Sequence, residues 1–447
     1  MRILQAVHGY PPRFSAGSEI YTQTLSREQA KRHQVMVFSR FEDPFLRPYS
    51  ILDEIDSPSN GGAAIPVRLV NMANFRDRYR HEEVDRLFEA TIREFRPDVI
   101  HIQHLNHLSS SVIQIAEAMG VPTIYTLHDF WLMCPRGQFI QFFGETQSGA
   151  LPLCNGQEHA KCAERCYSRY YSGDPDQADN DMRYFTEWVQ HRMEHMREMA
   201  SQIACFIAPS RHLEARFCRE FEIPQNKVRY LDYGFDLKRL SGRCRSPRSS
   251  DEFVFGYIGT HVATKGIHQL LEAFAKIKRS DTRLKIWGRS SDATPALRAF
   301  SQRMPPSVRD RISWEGEYSN DAIVRDIFNN VDVIVVPSIW LENSPLVIHE
   351  AQQARVPVIT ADAGGMAELV RHEVNGLLFR HRDSASLSEQ MERCLDNPTW
   401  IANLGVRGCL HSEGGDVSSI EDHSQEIEEI YRSCISGKYA SAREAQR

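Results

Sequence analysis

The sequence predicts an α/β protein built from two doubly wound domains facing a cleft, and three observations carry that expectation. Short apolar runs of strand length alternate with helical periodicity along nearly the whole chain, which is the pattern of parallel βαβ units. A polar, basic run at 241–251 (SGRCRSPRSSD) interrupts the alternation, which then restarts. At 447 residues the chain is long for one ordinary domain and comfortable for two.

Residues 2–7 read as a buried strand, stopped by His8-Gly9-Tyr10-Pro11-Pro12 because the prolines can continue neither helix nor ladder. Ile20, Leu25 and Ala30 then fall near helical spacing. Residues 35–38 and 67–70 are strand candidates, and a charged helical stretch over 77–95 leads into a strand at 97–102. Residues 113–119 read as a helix ended by Gly120, before an apolar strand over 122–126. Residues 134–181 break the pattern and read as a long ordered insertion, a kind of segment that is usually functional. A helix over 182–201 and a strand at 203–208 complete a first domain spanning 1–240. The second, 251–410, contains strands at 253–258, 284–287, 312–314, 331–336 and 356–360. A further helix spans 419–434, and residues 436–447 look frayed.

Composition narrows the function. Fifty-three basic against 59 acidic residues give a net charge of −6, which argues against a nucleic-acid binder, since such a protein neutralises phosphates with a basic surface. No apolar run reaches the ~18 residues that span a bilayer. The short run Ile3-Leu4-Gln5-Ala6-Val7 between Arg2 and His8 is too brief for the apolar region of a secretory signal. Ten cysteines scattered over a long chain suit a reducing cytoplasm, the expected location.

In open parallel sheets, ligands bind beyond the carboxyl ends of the strands, where helix N-termini favour anions. The second domain offers three such places. Gly256 to Gly266 is a strand, a flexible loop and Lys265, a point charge suited to phosphate, although alone it reads as an exposed lysine at a helix start. Val331 to Ser338 ends a buried strand and is followed by Glu342-Asn343-Ser344-Pro345-Leu346 and then Glu350. Ser344 and Pro345 predict an N-cap and first turn, with backbone amides of 343–346 turned to an anion. A glutamate beside an anion site repels phosphate, so Glu342 is better explained as an acceptor for sugar hydroxyls than as a surface charge. The third place is Ala361-Asp362-Ala363-Gly364-Gly365-Met366-Ala367-Glu368, whose glycines permit close backbone approach.

In order and spacing, Thr264-Lys265-Gly266, the Glu-x7-Glu element Glu342 to Glu350, and the Gly-Gly loop followed by Glu368 and Asn375-Gly376 resemble the carboxy-terminal half of retaining glycosyltransferase family 4. The resemblance is close over 253–398. It is looser over 1–240, through the loop after the first strand and Thr126-Leu127-His128-Asp129-Phe130-Trp131. It implies the GT-B fold of two Rossmann-like domains, with the terminal helix packing back on the first, and transfer of a sugar from a nucleotide-sugar donor, UDP- or GDP-linked, in polysaccharide or glycolipid biosynthesis.

Carried over by residue, the resemblance assigns Lys265 to the diphosphate and Glu342 to hydroxyls of the transferred sugar. Asn343, Ser344, Pro345 and Leu346, with Gly259 and Thr260, would line the donor. Glu350 would take the ribose hydroxyls, His128 would face the donor sugar across the cleft, and Gly17 would let the first loop approach phosphate or acceptor. Two places depart from the family pattern. Thr260 stands where many members carry arginine, and Ala16-Gly17-Ser18-Glu19 replaces the paired glycines common before the glutamate. No cofactor is expected for catalysis, since Lys265 and helix amides supply the positive charge. A GT-B-like nucleotide-sugar epimerase and a catalytically silent sugar-nucleotide-binding subunit are the competing readings.

Two features lie outside that frame. Cys134, Cys154, Cys162 and Cys166 cluster in the insertion and could form a structural zinc site, against the alternatives of unrelated thiols or a reversible disulfide. The helix over 182–201 carries Phe185, Trp188, Val189, Met193 and Met196 on one face with Arg183, Arg192 and Arg197 elsewhere. That pattern suits first an ordinary helix packed on its own domain, and second peripheral contact with the inner membrane face.

Overall fold

The computed structural model describes residues 1–58, 61–73, 78–142, 151–245 and 252–437. Asp77, part of the insertion (143–150), part of the linker (246–251) and the tail beyond 437 lie outside the described residues. The chain forms two compact units. The first comprises Met1–Gln138, Asn155–Gly234 and the segment starting at Ile420; the second comprises Phe139–Cys154 and Phe235–Ser419.

The first unit is a sheet of β1 (Arg2–Ala6), β2 (Gln34–Phe41), β3 (Ile51–Asp56), β4 (Ile65–Asn71), β5 (Val99–Ile102), β6 (Thr123–Thr126), β7 (Cys205–Ala208) and β8 (Val228–Tyr230). Its order is β3-β4-β2-β1-β5-β6-β7-β8, and every neighbour pair is parallel except β3 with β4. Ile3 is flanked by Val35 on one side and Val99 on the other, and β1 is buried from Ile3 to Ala6 and apolar there except at Gln5. The helix Ile420–Ile435 supplies Ile427 and Tyr431 to the core around Ile3, Val37, Val99 and Ile124.

The second unit contains β9 (Phe253–Ile258), β10 (Thr282–Trp287), β11 (Ile312–Gly316), β12 (Val333–Val336), β13 (Val358–Ala361) and β14 (Gly376–Phe379), in the order β11-β10-β9-β12-β13-β14, all parallel. Both sheets are doubly wound, as the sequence predicts. The strand order turns back between β1 and β5 in one and between β9 and β12 in the other, and such a switch point opens a crevice at the strand ends. Three strands escape the sequence reading. In β3, apolar Ile51 and Ile55 are exposed beside acidic Asp53 on the same face, so no buried face is patterned. β8 and β14 span three and four residues.

The helix expected over 182–201 runs Ala178–Gln202. Its Val189, Met193 and Met196 are buried in the first unit, so the ordinary packing alternative accounts for that face. Arg192 is 2% exposed, donates to the Trp131 carbonyl at 2.6 Å, and lies over the Trp131 ring. Among the described residues no helix is long and apolar enough to cross a membrane.

Histidines set the acid limit of the first unit. Burial, then the neighbouring His423, holds His101 down to about 3; burial holds His423 down to about 4 against the opposing pull of Asp232. Both are neutral when folded and take up protons near the usual 6.5 when unfolded. Their contribution to stability is therefore complete above about pH 6.5 and is lost as pH falls through 4 towards 3. Urea unfolding between pH 7.5 and 4 should show the midpoint constant above 6.5 and falling below it. His423→Gln should flatten that slope.

Candidate functional site

In the second unit the three loops predicted to carry ligand meet at the switch point. Lys265 ends a short 3-10 turn (Ala263–Lys265) beyond β9, and Gly266 turns into the helix Ile267–Lys276 with φ of +72°. A Cβ on Gly266 would lie 1.9 Å from the Pro337 carbonyl oxygen, so the turn requires glycine both for its conformation and for the approach of the loop after β12. The Ile339 amide closes the same contact by donating to the Thr264 carbonyl at 2.9 Å. The Gly-Gly loop after β13 joins from the other side: the Gly365 amide donates to the Glu342 carbonyl at 2.8 Å, and a Cβ there would lie 1.3 Å from the Asn343 oxygen.

This interlock places Lys265 against Glu342. The ammonium donates to Oε1 of the carboxylate at 2.7 Å, and the Ser338 hydroxyl donates to the same oxygen at 2.5 Å. The Glu342 side chain is 6% exposed, whereas that of Lys265 is 32% exposed and its ammonium lies 5.8 Å from the Trp340 ring centre. The pair is thus a buried anion beneath a cation that reaches solvent. Burial and Glu342 push the Tyr257 hydroxyl well above its usual range, so it stays protonated and donates to the Thr260 carbonyl.

The helix that follows begins at Leu346, one residue later than Ser344-Pro345 predicts. Pro345, with ψ of 116°, occupies the cap position and makes no side-chain cap hydrogen bond, so Ser344 is not the N-cap. The first amides of the helix have no partner within it. Asn343 and Ser344 are buried just before it. Glu350, a turn inside, receives the Arg239 guanidinium at 2.8 Å, and the same arginine donates to the Asn320 carbonyl. Arg239 is absent from the sequence reading. It lies 111 residues from its partner, and no local pattern marks it.

In the first unit, the ends of β1, β5 and β6 bring together His8, Gln103, His104 and His128. His128 is engaged at both nitrogens, by the Tyr233 hydroxyl at 2.7 Å on Nδ1 and by Gln103 Oε1 at 2.9 Å on Nε2, and its ring stacks on Tyr233. Burial, then the nearby His104, His101 and His8, pushes its pKa well below 6.5 against the opposing pull of Glu19, so the ring is neutral at pH 7. Gly17 opens the helix Gly17–Gln29 and is exposed, while Glu19 is buried and pairs with His8 at 3.3 Å.

Among the described residues no group of three or more His, Cys, Asp or Glu side chains is placed to hold a metal ion. Cys162 and Cys166 are buried in consecutive turns of a short helix and a π-turn, Cys134 is buried after β6, and Cys154 belongs to the second unit.

Comparison with known proteins bears on the family and the fold. A family model for glycosyltransferase family 4 matches residues 15–239, and one for glycosyl transferases group 1 matches 252–397. An uncharacterized glycosyltransferase of Methanocaldococcus jannaschii is 28% identical over 46% of this chain and 54% of its own. A capsular polysaccharide biosynthesis glycosyltransferase of Staphylococcus aureus is likewise 28% identical, over 47% and 53%. The chain thus spans about half the length of each of these relatives. The crystal structure of HepE from Anabaena in complex with UDP and glucose matches with a TM-score of 0.66 at 16% identity, over 97% of this chain and all of that one. With both units matched in order, the chain belongs to glycosyltransferase family 4 and has the GT-B fold.

Proposed function

We propose that this glycosyltransferase moves a sugar from a nucleoside-diphosphate donor, UDP- or GDP-linked, to a hydroxyl of a glycan or lipid-linked acceptor, with retention of anomeric configuration. The observation that carries the reading is the Lys265–Glu342 pair beneath three interlocked loops at the switch point. When the glycosidic bond to a diphosphate breaks, negative charge grows on phosphate and positive charge on the anomeric carbon. Lys265 and the amides opening the helix Leu346–Gln353 are suited to the first, which is fixed electrostatic stabilisation and needs no resident metal. Glu342 is suited to the sugar hydroxyls and to the positive charge. The fold match to a structure holding UDP and glucose supports a UDP-sugar. The scattered cysteines support a reducing, cytoplasmic setting.

Glu350, steadied by Arg239, is the group assigned to the ribose hydroxyls. Those hydroxyls do not change in the transition state, so their loss is uniform binding loss. Glu350→Gln should raise the donor KM about tenfold and leave kcat within about threefold. A matching fall in kcat would remove Glu350 from the ribose.

A panel of UDP-, GDP- and ADP-sugars, followed by thermal shift and by release of nucleoside diphosphate, tests the function as a whole. One nucleotide should raise the melting temperature by mass action and be released with transfer to a glycan or lipid-linked acceptor. Epimer formation without release, or binding without turnover, would instead establish the epimerase or the silent subunit.

A further inference from the structure

Behind His128 the first unit buries a line of polar side chains. Gln5 of β1, Gln29 of the first helix, His101 of β5, Gln103 just beyond it, Thr126 of β6 and Tyr431 of the helix Ile420–Ile435 are all fully buried. They are joined end to end. Gln103 Oε1 lies 2.9 Å from His128 Nε2, and Gln103 Nε2 donates to Gln5 Oε1 at 3.0 Å. Gln5 Nε2 donates to Gln29 Oε1 at 2.9 Å, and Gln29 Nε2 donates to the Tyr431 hydroxyl at 3.1 Å. That hydroxyl lies 2.6 Å from His101 Nδ1, and His101 Nε2 lies 2.7 Å from the Thr126 hydroxyl.

Because each amide has one donating and one accepting end, turning any one glutamine forces the others to turn with it. The line therefore has two polarities. In one, both hydrogens of the Gln5 amide are used, on Gln29 Oε1 and, more weakly, on the Tyr431 oxygen at 3.5 Å. Tyr431 then passes its own proton to His101. In the reverse polarity a Gln5 carbonyl faces Tyr431, whose single proton is already given to Gln29, and one hydrogen bond is lost. The first polarity wins by that bond, and it presents an acceptor to His128.

We propose that Gln5, Gln29, Gln103 and Tyr431 are positioning residues, a one-way hydrogen-bond relay that fixes His128 as the Nε2–H tautomer with Nδ1 accepting from Tyr233. The docking of the helix carrying Tyr431 is thereby written into the proton position on His128. A neutral ring, which the surroundings of His128 enforce, is the only form in which this choice exists. The inference deepens the proposed reaction and rests, for its effect on transfer, on His128 belonging to that site.

The test is 15N-histidine labelling of the full chain, with the His128 signal identified by its loss in His128→Gln. Two-bond 15N–1H correlation should show the proton on Nε2 and a bare Nδ1. Tyr431→Phe removes the hydroxyl and keeps the ring, so the ratio of Nε2–H to Nδ1–H should fall about fivefold, the worth of one hydrogen bond. A proton on Nδ1 in the parent protein, or an unchanged ratio in Tyr431→Phe, overturns the relay. Transfer by Tyr431→Phe should fall in kcat with donor Kd unchanged. If the tautomer shifts while transfer does not, the relay stands and the place of His128 in the reaction fails.

Discussion

Lys265→Ala should lower kcat by about 10²–10³, the usual effect of removing one fixed group that meets charge developing in the transition state. It should also lower stability, because Glu342 is left buried without its cation. A fully buried broken pair costs about 3–5 kcal/mol, but Lys265 is a third exposed and Ser338 still donates to the carboxylate, so about 1–2 kcal/mol is expected. Glu342→Gln separates the two effects. It keeps the acceptor and removes the charge, so turnover should fall comparably with little change in melting temperature. Steady-state transfer beside thermal unfolding measures both, and near-parental turnover in either variant would take that residue out of the reaction.

Gly365→Ala should be the most damaging single methyl in the second unit. The added carbon would sit 1.3 Å from the Asn343 carbonyl oxygen and 2.5 Å from its carbon. Both are backbone atoms that no rotamer change can move. The loop after β13 must retreat, breaking the hydrogen bond from the Gly365 amide to the Glu342 carbonyl that holds the loop bearing the carboxylate. Overpacking of this kind costs about 1–3 kcal/mol or more. Transfer should fall at least as far as in Lys265→Ala, since the whole Glu342–Leu346 segment loses its place. Gly414→Ala is the control: its nearest neighbour would be the Asp416 carboxylate at 3.3 Å, and melting temperature and transfer should stay close to parental. Full activity in Gly365→Ala would show that the loop packing does not shape the site.

The site in the second unit was legible because its chemistry is written locally. A buried strand, a turn and a helix start recur at Lys265, at Glu342–Glu350 and at Gly364–Gly365, with glycine in the first and third turns, and the sheet order brings the three turns to one point. What escaped depends on distance or on one backbone angle. Arg239 reaches Glu350 from 111 residues away, and Tyr431 meets Gln5 across 426. Ser344 looks like a cap in sequence, but the helix starts beyond Pro345, whose ψ is extended. β3 was unreadable because Ile51 and Ile55 face outward on an edge strand.

The helix Ile420–Ile435 belongs to the first unit although the whole second unit is synthesised before it. On a ribosome, residues 1–234 therefore emerge without Ile427 and Tyr431, and the apolar positions those residues cover stay open until about two hundred further residues have been made. At ~5–20 residues per second that wait lasts on the order of ten seconds or more, long against the microseconds to milliseconds of local helix and hairpin formation. The second unit, continuous from Phe235 to Ser419 apart from one short segment, is free to fold meanwhile. Closure of the first is left to contacts of very high sequence separation, which form slowly. A nascent chain stalled before Ile420 should accordingly hold its second unit resistant to protease and its first unit sensitive, and should recruit chaperones to the open face.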